Sequence, residues 1–314
     1  VVLDGQAAHA PGLFCPNSIR IVWLDYCPLS DHANWELEIS VVMTRTRRLA
    51  AAVTAVGILG VAVPAGASAA STITISGATG SAPLVALLAK KYVKLKPGKV
   101  KFKLAQGGGE VGVQDAAAGR VTIGNAARDP RPSDPSGLVF YPIAKDFFCF
   151  DTNPANTLPN LTLAQAQAIW TGQVRNWEEV PGSTITGTID LIGRTAASSL
   201  PPLVQQLLLG GKTISPLAAL KPSDGLVEQS VASDKNAIGF NSGYYASQKD
   251  VHAVAFEGVA CSLQNAKSGQ YPGVRNYYEV TRGKATGAAS AFINWIQHSP
   301  AARKIIASIA IPLN

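Results

Sequence analysis

The sequence predicts an α/β protein with open sheets of mainly parallel character. Three observations point there. Strand-like and helix-like stretches alternate from residue 72 to residue 308. Several strand-to-helix junctions are short runs of Gly, Ser and Thr. The composition, 47% apolar and 15% charged over 314 residues, suits a chain that buries two modest cores. It is too apolar for disorder, and it carries neither a glycine period nor a sustained heptad.

The elements follow in order. Thr72–Ser76 reads as a strand, Gly77–Ala82 as a turn, and Pro83–Val93 as a helix with proline in its first turn. Val100, Phe102 and Leu104 alternate with Lys99, Lys101 and Lys103, the pattern of a half-buried strand. Gly107, Gly108 and Gly109 lead into a short helix through Ala118, and strands are predicted at Val121–Asn125 and Leu138–Phe150. Leu163–Trp170 is helical, Ile189–Arg194 a strand and Leu203–Leu209 a helix. Asn236–Phe240 and Tyr277–Thr281 read as strands, and Ala288–Ser308 holds one or two closing helices.

The first 69 residues have a different character. Met43 is the one methionine, and Thr44–Arg48 after it is basic. Leu49 to Val63 is a nearly unbroken run of small apolar residues, ending in Ala67-Ser68-Ala69. Basic, apolar and small-x-small segments in that order describe a secretory signal peptide over residues 43–69, cut after Ala69. Residues 1–42 then read as an upstream extension without a packed structure; a separate N-terminal domain is the other reading. No cysteine stands at the predicted cut, so the expected product is exported, extracellular or periplasmic, with no lipid anchor.

Cys149 and Cys261 remain downstream of that cut. In an exported protein they can pair, and closing so long a loop is worth about 4–5 kcal/mol in the chain-entropy picture. Two free buried thiols are the alternative. Seven lysines fall between Lys90 and Lys103 in a chain of net charge +7, and a solvated face explains them. Aromatic residues are not interleaved with them as nucleic-acid binding would require.

Helix N-termini with free backbone N–H groups are ready anion sites. Three junctions have the composition for one: Ala78-Thr79-Gly80-Ser81, Gly107-Gly108-Gly109, and Arg194-Thr195-Ala196-Ala197-Ser198-Ser199. The third adds a guanidinium, the fork donor suited to a tetrahedral oxyanion. No Gly-x-Ser-x-Gly elbow and no metal-spaced His/Cys cluster occurs, so the sequence does not read as an enzyme and implies no metal and no cofactor. His252 and His298 read as ordinary surface or core residues, and Asp146 and Asp151 as hydrogen-bonding groups beside Cys149.

Several ordered motifs carry a family resemblance: Asn160-Leu161-Thr162-Leu163 through Ile169-Trp170-Thr171-Gly172 to Asn176-Trp177, then Asn236-Ala237-Ile238-Gly239-Phe240, then Ser268-Gly269-Gln270-Tyr271-Pro272 with Arg275, and the closing Ile311-Pro312-Leu313. With these the chain resembles the phosphate-binding proteins of ABC-type phosphate uptake systems, in the type II periplasmic-binding-protein superfamily. The resemblance implies two α/β lobes joined by two crossover strands, near Phe148–Thr152 and Phe240–Tyr244. Lobe I would comprise residues 70–149 and 242–314, and lobe II residues 150–241. Cys149 and Cys261 then lie in or beside one lobe, which favours their pairing.

The resemblance also implies a function: a monomeric, exported solute-binding protein that captures an oxyanion, phosphate first, and delivers it to an ABC permease. Thr79 and Gly80 match the family's first ligand turn, and Arg194 and Ser198 its arginine and helix-start serine. Gly109 and Ser199 complete the implied ligand set. The chain departs from the family at three places. Gly109 or Glu110 stands where a serine is usual, Ala126-Ala127 where an Asp or Ser is usual, and Ser199-Leu200 where Gly-Thr is usual. In the family the aspartate accepts the proton of hydrogen phosphate, and a buried O–H without an acceptor costs about 1–3 kcal/mol. The second reading is therefore a degenerate relative, a secreted interaction or wall-associated protein with weak or no phosphate binding.

Overall fold

The computed structural model describes residues 70–313. The predicted extension 1–42, the signal peptide 43–69 and its cut at Ala69 lie outside the described residues. The chain runs β1 (Ser71–Gly77), α1 (Ala82–Leu95), β2 (Val100–Leu104), α2 (Gly109–Ala117), β3 (Ile123–Ala126) and β4 (Leu138–Thr152). It continues with β5 (Asn160–Leu161), α3 (Leu163–Trp170), β6 (Asp190–Arg194), α4 (Leu200–Leu207), β7 (Ala219–Lys221), α5 (Asp224–Ser233), β8 (Ala237–Ser242) and α6 (Gly243–Ala246). The remainder is β9 (His252–Ala253), β10 (Ala255–Phe256), α7 (Leu263–Lys267), β11 (Val274–Arg282), α8 (Gly287–His298) and α9 (Pro300–Ile309).

The expected strand and helix segments are all present, shifted by a few residues at their ends. Helix α1 buries Leu84, Val85, Leu88, Ala89 and Tyr92, a stripe at helical spacing, and leaves its lysines in solvent. Thr162 and Gln165 close a reciprocal capping box at the start of α3. Helix α5 was not predicted, because its short segment carries only a weak apolar stripe. It is buried through Val227 and Val231, one turn apart, and capped by Ser223.

The main sheet has the order β2-β1-β3-β11-β4-β8-β6-β7, with β9 added beside β4. Pairing is parallel at β1–β2, β1–β3, β6–β7 and β6–β8, as strand–helix alternation predicts. The mixture arises at β4 and β11, which are antiparallel to their neighbours. Strand β4 pairs with β11 from Leu138 to Phe147 and with β8 from Phe148 to Thr152. One strand thus ties the two halves of the sheet together. Strand β2 is an edge, and its lysines discourage edge-to-edge pairing.

Two main hydrophobic cores flank this tie. The first gathers Ile73, Ile75, Leu84, Leu88, Ile143, Tyr277, Phe292 and Ile306. The second gathers Phe148, Phe150, Trp170, Trp177, Val204, Phe240, Val254 and Tyr271. Trp170 sits against Phe150 and Phe240, at 5.7 and 5.0 Å between ring centroids. Val254, Phe256, Ala266 and Tyr271 belong to the second core, although the sequence reading put all of residues 242–314 with the first. Their chain leaves β8, stays with the second core and reaches the first along β11. Cys149 on β4 is bonded to Cys261, just before α7, with 5.9 Å between Cα atoms. The bridge pins this returning segment to the second core.

Candidate functional site

The candidate site lies where the C-terminal ends of β1, β3 and β6 meet, the usual place for a ligand on an open α/β sheet. Thr79 follows β1, Ala127 follows β3, and Arg194 ends β6. Residues 115 positions apart in sequence thereby touch: Arg194 Nη2 donates to Thr79 Oγ1 at 3.0 Å. Both are almost fully buried, at 2% and 3% exposure. Two more bonds close the same cleft. Glu110 N, in the first turn of α2, donates to the Ala197 carbonyl at 3.1 Å, and Ser199 Oγ donates to the Ala127 carbonyl at 3.2 Å.

Each predicted residue can be placed. Gly80 sits against Ser242 Oγ and Arg275 Nη2 so closely that any Cβ would collide with them. Gly109 opens α2; a Cβ there would lie 3.1 Å from Ser199 Oγ and 3.5 Å from the Ala127 amide nitrogen. The neighbouring Gly108, at φ 98°, takes a conformation that suits glycine, and a Cβ would strike the Ala197 carbonyl. Ser198 Oγ accepts from Leu200 N at 3.1 Å, ordering the start of α4. Thr79 thus meets Arg194 and Gly109 meets Ser199, while Gly80 packs on Ser242 and Arg275 and Ser198 bonds within its own turn. Glu110 is turned away from these residues. Its carboxylate takes two bonds from Arg128, at 2.9 and 2.8 Å, and one from Arg131 at 3.1 Å.

The structure adds a residue that the sequence reading missed. Asp224, at the start of α5, accepts from Thr79 Oγ1 and from Arg194 Nη1 on one oxygen. Its other oxygen accepts from Ser242 N at 3.1 Å and from Ser242 Oγ at 2.7 Å. Burial pushes the carboxyl pKa up, but the charges of Arg194 and Arg275 and the bonds from Thr79 and Ser242 outweigh it. The net result is a pKa lowered to about 2, so the group is an ionised acceptor at neutral pH. The network continues through Ser242 Oγ to Arg275, which pairs with Asp146 at 3.0 Å; Tyr277 donates to Asp146 at 2.5 Å. Two arginines and two aspartates are buried here in alternation. The signal for Asp224 in the sequence was Ser223-Asp224 before the Val227–Val231 pair, a faint N-cap pattern.

Two further buried acids lie off this chain. Asp151 on β4 accepts from Asn241 Nδ2 at 2.8 Å, and burial raises its pKa to about 7. Glu279 on β11 accepts from Asn125 Nδ2 at 2.5 Å, and burial raises its pKa to about 8. Among the described residues no group of three or more His, Cys, Asp or Glu could hold a metal, and no helix is long and apolar enough to cross a membrane.

Comparisons with known proteins bear on the family and the fold. The family model described as a PBP superfamily domain matches residues 62–300. The phosphate-binding protein PstS of Bacillus subtilis is 26% identical over 248 residues, covering 76% of this chain and 79% of that protein. A Clostridium perfringens protein assigned as a phosphate ABC transporter substrate-binding protein, solved with bound phosphate, superposes with a TM-score of 0.72 at 27% identity. The match covers 78% of this chain and 100% of that one. An ABC-type phosphate transport receptor from Vibrio cholerae gives 0.61 at 26% identity, over 78% and 100% of the two chains. With its model matched across most of the sequence and its sheet order and cleft in place, the chain belongs to the periplasmic-binding-protein (PBP) superfamily.

Proposed function

We propose that this chain is an exported solute-binding protein that captures phosphate in the cleft between its two cores, for uptake through an ABC permease. One observation carries the reading. Thr79 and Arg194, on opposite walls of the cleft, converge on one buried point, beside Gly109, Ser198 and Ser199. The three relatives described above, each more than a quarter identical, are named for phosphate binding or phosphate transport. Helices α1, α2 and α4 all begin close to this point, so the positive ends of three helix dipoles favour an anion there.

Asp224 answers the absence of an acid after β3. It is an ionised acceptor held against Arg194 and Thr79, and in our reading it accepts the hydrogen bond from the O–H of hydrogen phosphate. Sulfate, which carries no proton at neutral pH, would meet the carboxylate as a bare negative charge. The alternative of a degenerate relative loses its main support once an acceptor is present and Glu110 is neutralised by Arg128.

The test is thermal unfolding of anion-stripped protein against phosphate and sulfate. Phosphate at about 1,000 times its dissociation constant stabilises by about 4 kcal/mol, which for a domain of this size is a shift on the order of 8–16 °C. Arg194→Ala should abolish the shift, and Asp224→Asn should bring the phosphate response down toward that of sulfate. The absence of a shift with any oxyanion would refute the reading.

A further inference from the structure

Beside the anion point lies a cleft of about 560 Å³, far larger than an inorganic oxyanion fills. It falls within the roughly 300–1,000 Å³ of sites that hold organic ligands. One wall is the first turns of α1, with Ala82 and Ala86; the facing wall is Tyr244, Tyr245 and Gln248 around α6. The cleft adjoins the anion point. Ala78 lines the cleft and lies 3.8 Å from the Cβ position of Gly109, while the Tyr245 hydroxyl is 3.5 Å from the Thr79 carbonyl.

The lining is selective in its charge. Glu228 on α5 is the one charged residue of the cleft wall, and no lysine or arginine lines it. Glu228 is half-buried and forms no ion pair with a cation among the described residues, and the carboxylate of Asp250 adds a second negative charge to its surroundings. Next to it the rings of Tyr244 and Tyr245 meet edge to face, with centroids 5.2 Å apart. A lone carboxylate beside two tyrosine faces complements an ammonium group, which gains from both the charge and the ring quadrupoles. It does not complement a second anion.

We propose that the cleft takes the organic end of a small phosphate monoester or phosphonate that carries an ammonium group, its phosphoryl end held at Arg194 and Thr79. The proposal rests on the phosphate-binding reading above. Calorimetric titration of the anion-stripped protein with inorganic phosphate, glycerol phosphate and phosphoethanolamine tests it. Phosphoethanolamine should bind at least about tenfold more tightly than inorganic phosphate, with glycerol phosphate the weaker of the two esters. Glu228→Gln should remove that advantage and leave inorganic phosphate binding unchanged. Ala86→Phe, which narrows the cleft from an exposed helix position, should do the same. Inorganic phosphate binding as tightly as phosphoethanolamine would overturn the proposal and leave the transport reading standing. So would glycerol phosphate matching phosphoethanolamine, or Glu228→Gln weakening all three ligands in step. If none of the three binds, the transport reading falls, and this proposal with it.

Discussion

Removing Arg194 should show how far the closed cleft depends on its buried charges. In the native protein Asp224 is fully enclosed, and Arg194 is one of two guanidinium groups holding it ionised. Arg194→Ala leaves that carboxylate short of its strongest partner and removes the Nη2 donor to Thr79 Oγ1, which keeps only the Asp224 backbone N–H. Breaking a buried pair from one side costs about 3–5 kcal/mol at neutral pH. The acid branch carries the signature. The Asp224 pKa lies near 3.8 when the chain is unfolded and near 2 when it is folded. That depression contributes about 2–3 kcal/mol of stability, complete above about pH 5 and lost as the pH falls through 2, with roughly half remaining at pH 3.

Urea unfolding of native protein and Arg194→Ala at pH 7 and at pH 3, in phosphate-free buffer, measures both quantities. The gap between the two proteins should be several kcal/mol at pH 7 and should narrow by about 1 kcal/mol or more at pH 3. A gap below about 1 kcal/mol at pH 7, or one that stays constant into acid, would refute the assignment of Asp224 as an ionised partner of Arg194.

Other consequences can be checked separately. Glu279 and Asp151 have raised folded-state pKa values, near 8 and 7, so the folded protein holds protons that the unfolded chain releases. The stability these two groups contribute should therefore be full below about pH 4 and decline by about 1–3 kcal/mol per pH unit from pH 5 to pH 7. Glu279→Gln, which still accepts from Asn125, should flatten that decline in urea titrations across the range. Opening the 112-residue disulfide loop by a double Cys149→Ser, Cys261→Ser change should remove about 4–5 kcal/mol. Calorimetry should then show Tm lower by about 10–20 °C. Gly108→Ala strains a positive-φ position and drives a methyl into the Ala197 carbonyl. It should weaken phosphate binding by more than about tenfold, because 1.4 kcal/mol of lost closure already gives that factor.

Much of this protein is legible along the chain. Lysines alternating with Val100, Phe102 and Leu104 specify an edge strand, since a period of two can face only one core. Helix α3 carries a local capping signal, Thr162 with Gln165, because a helix end must satisfy its orphan N–H groups locally. Thr79, Gly109, Arg194 and Ser198 could be named as candidates for the same reason: a strand-to-helix turn is built from neighbouring residues. Asp224, Ser242 and Arg275 were not, since each acquires its role from a partner at least 18 residues away, and as many as 145. Ser242 joins Asp224 to Arg275 only because β4 aligns β8 beside β11 in one sheet. The orientation of Glu110 is of the same kind; only the position of Arg128 after β3 turns its carboxylate off the anion point. Local periodicity and capping act over a few residues and can be read from sequence. Charge pairing in a low-dielectric interior is decided by which side chains the completed sheet encloses together, and that is a property of the tertiary structure.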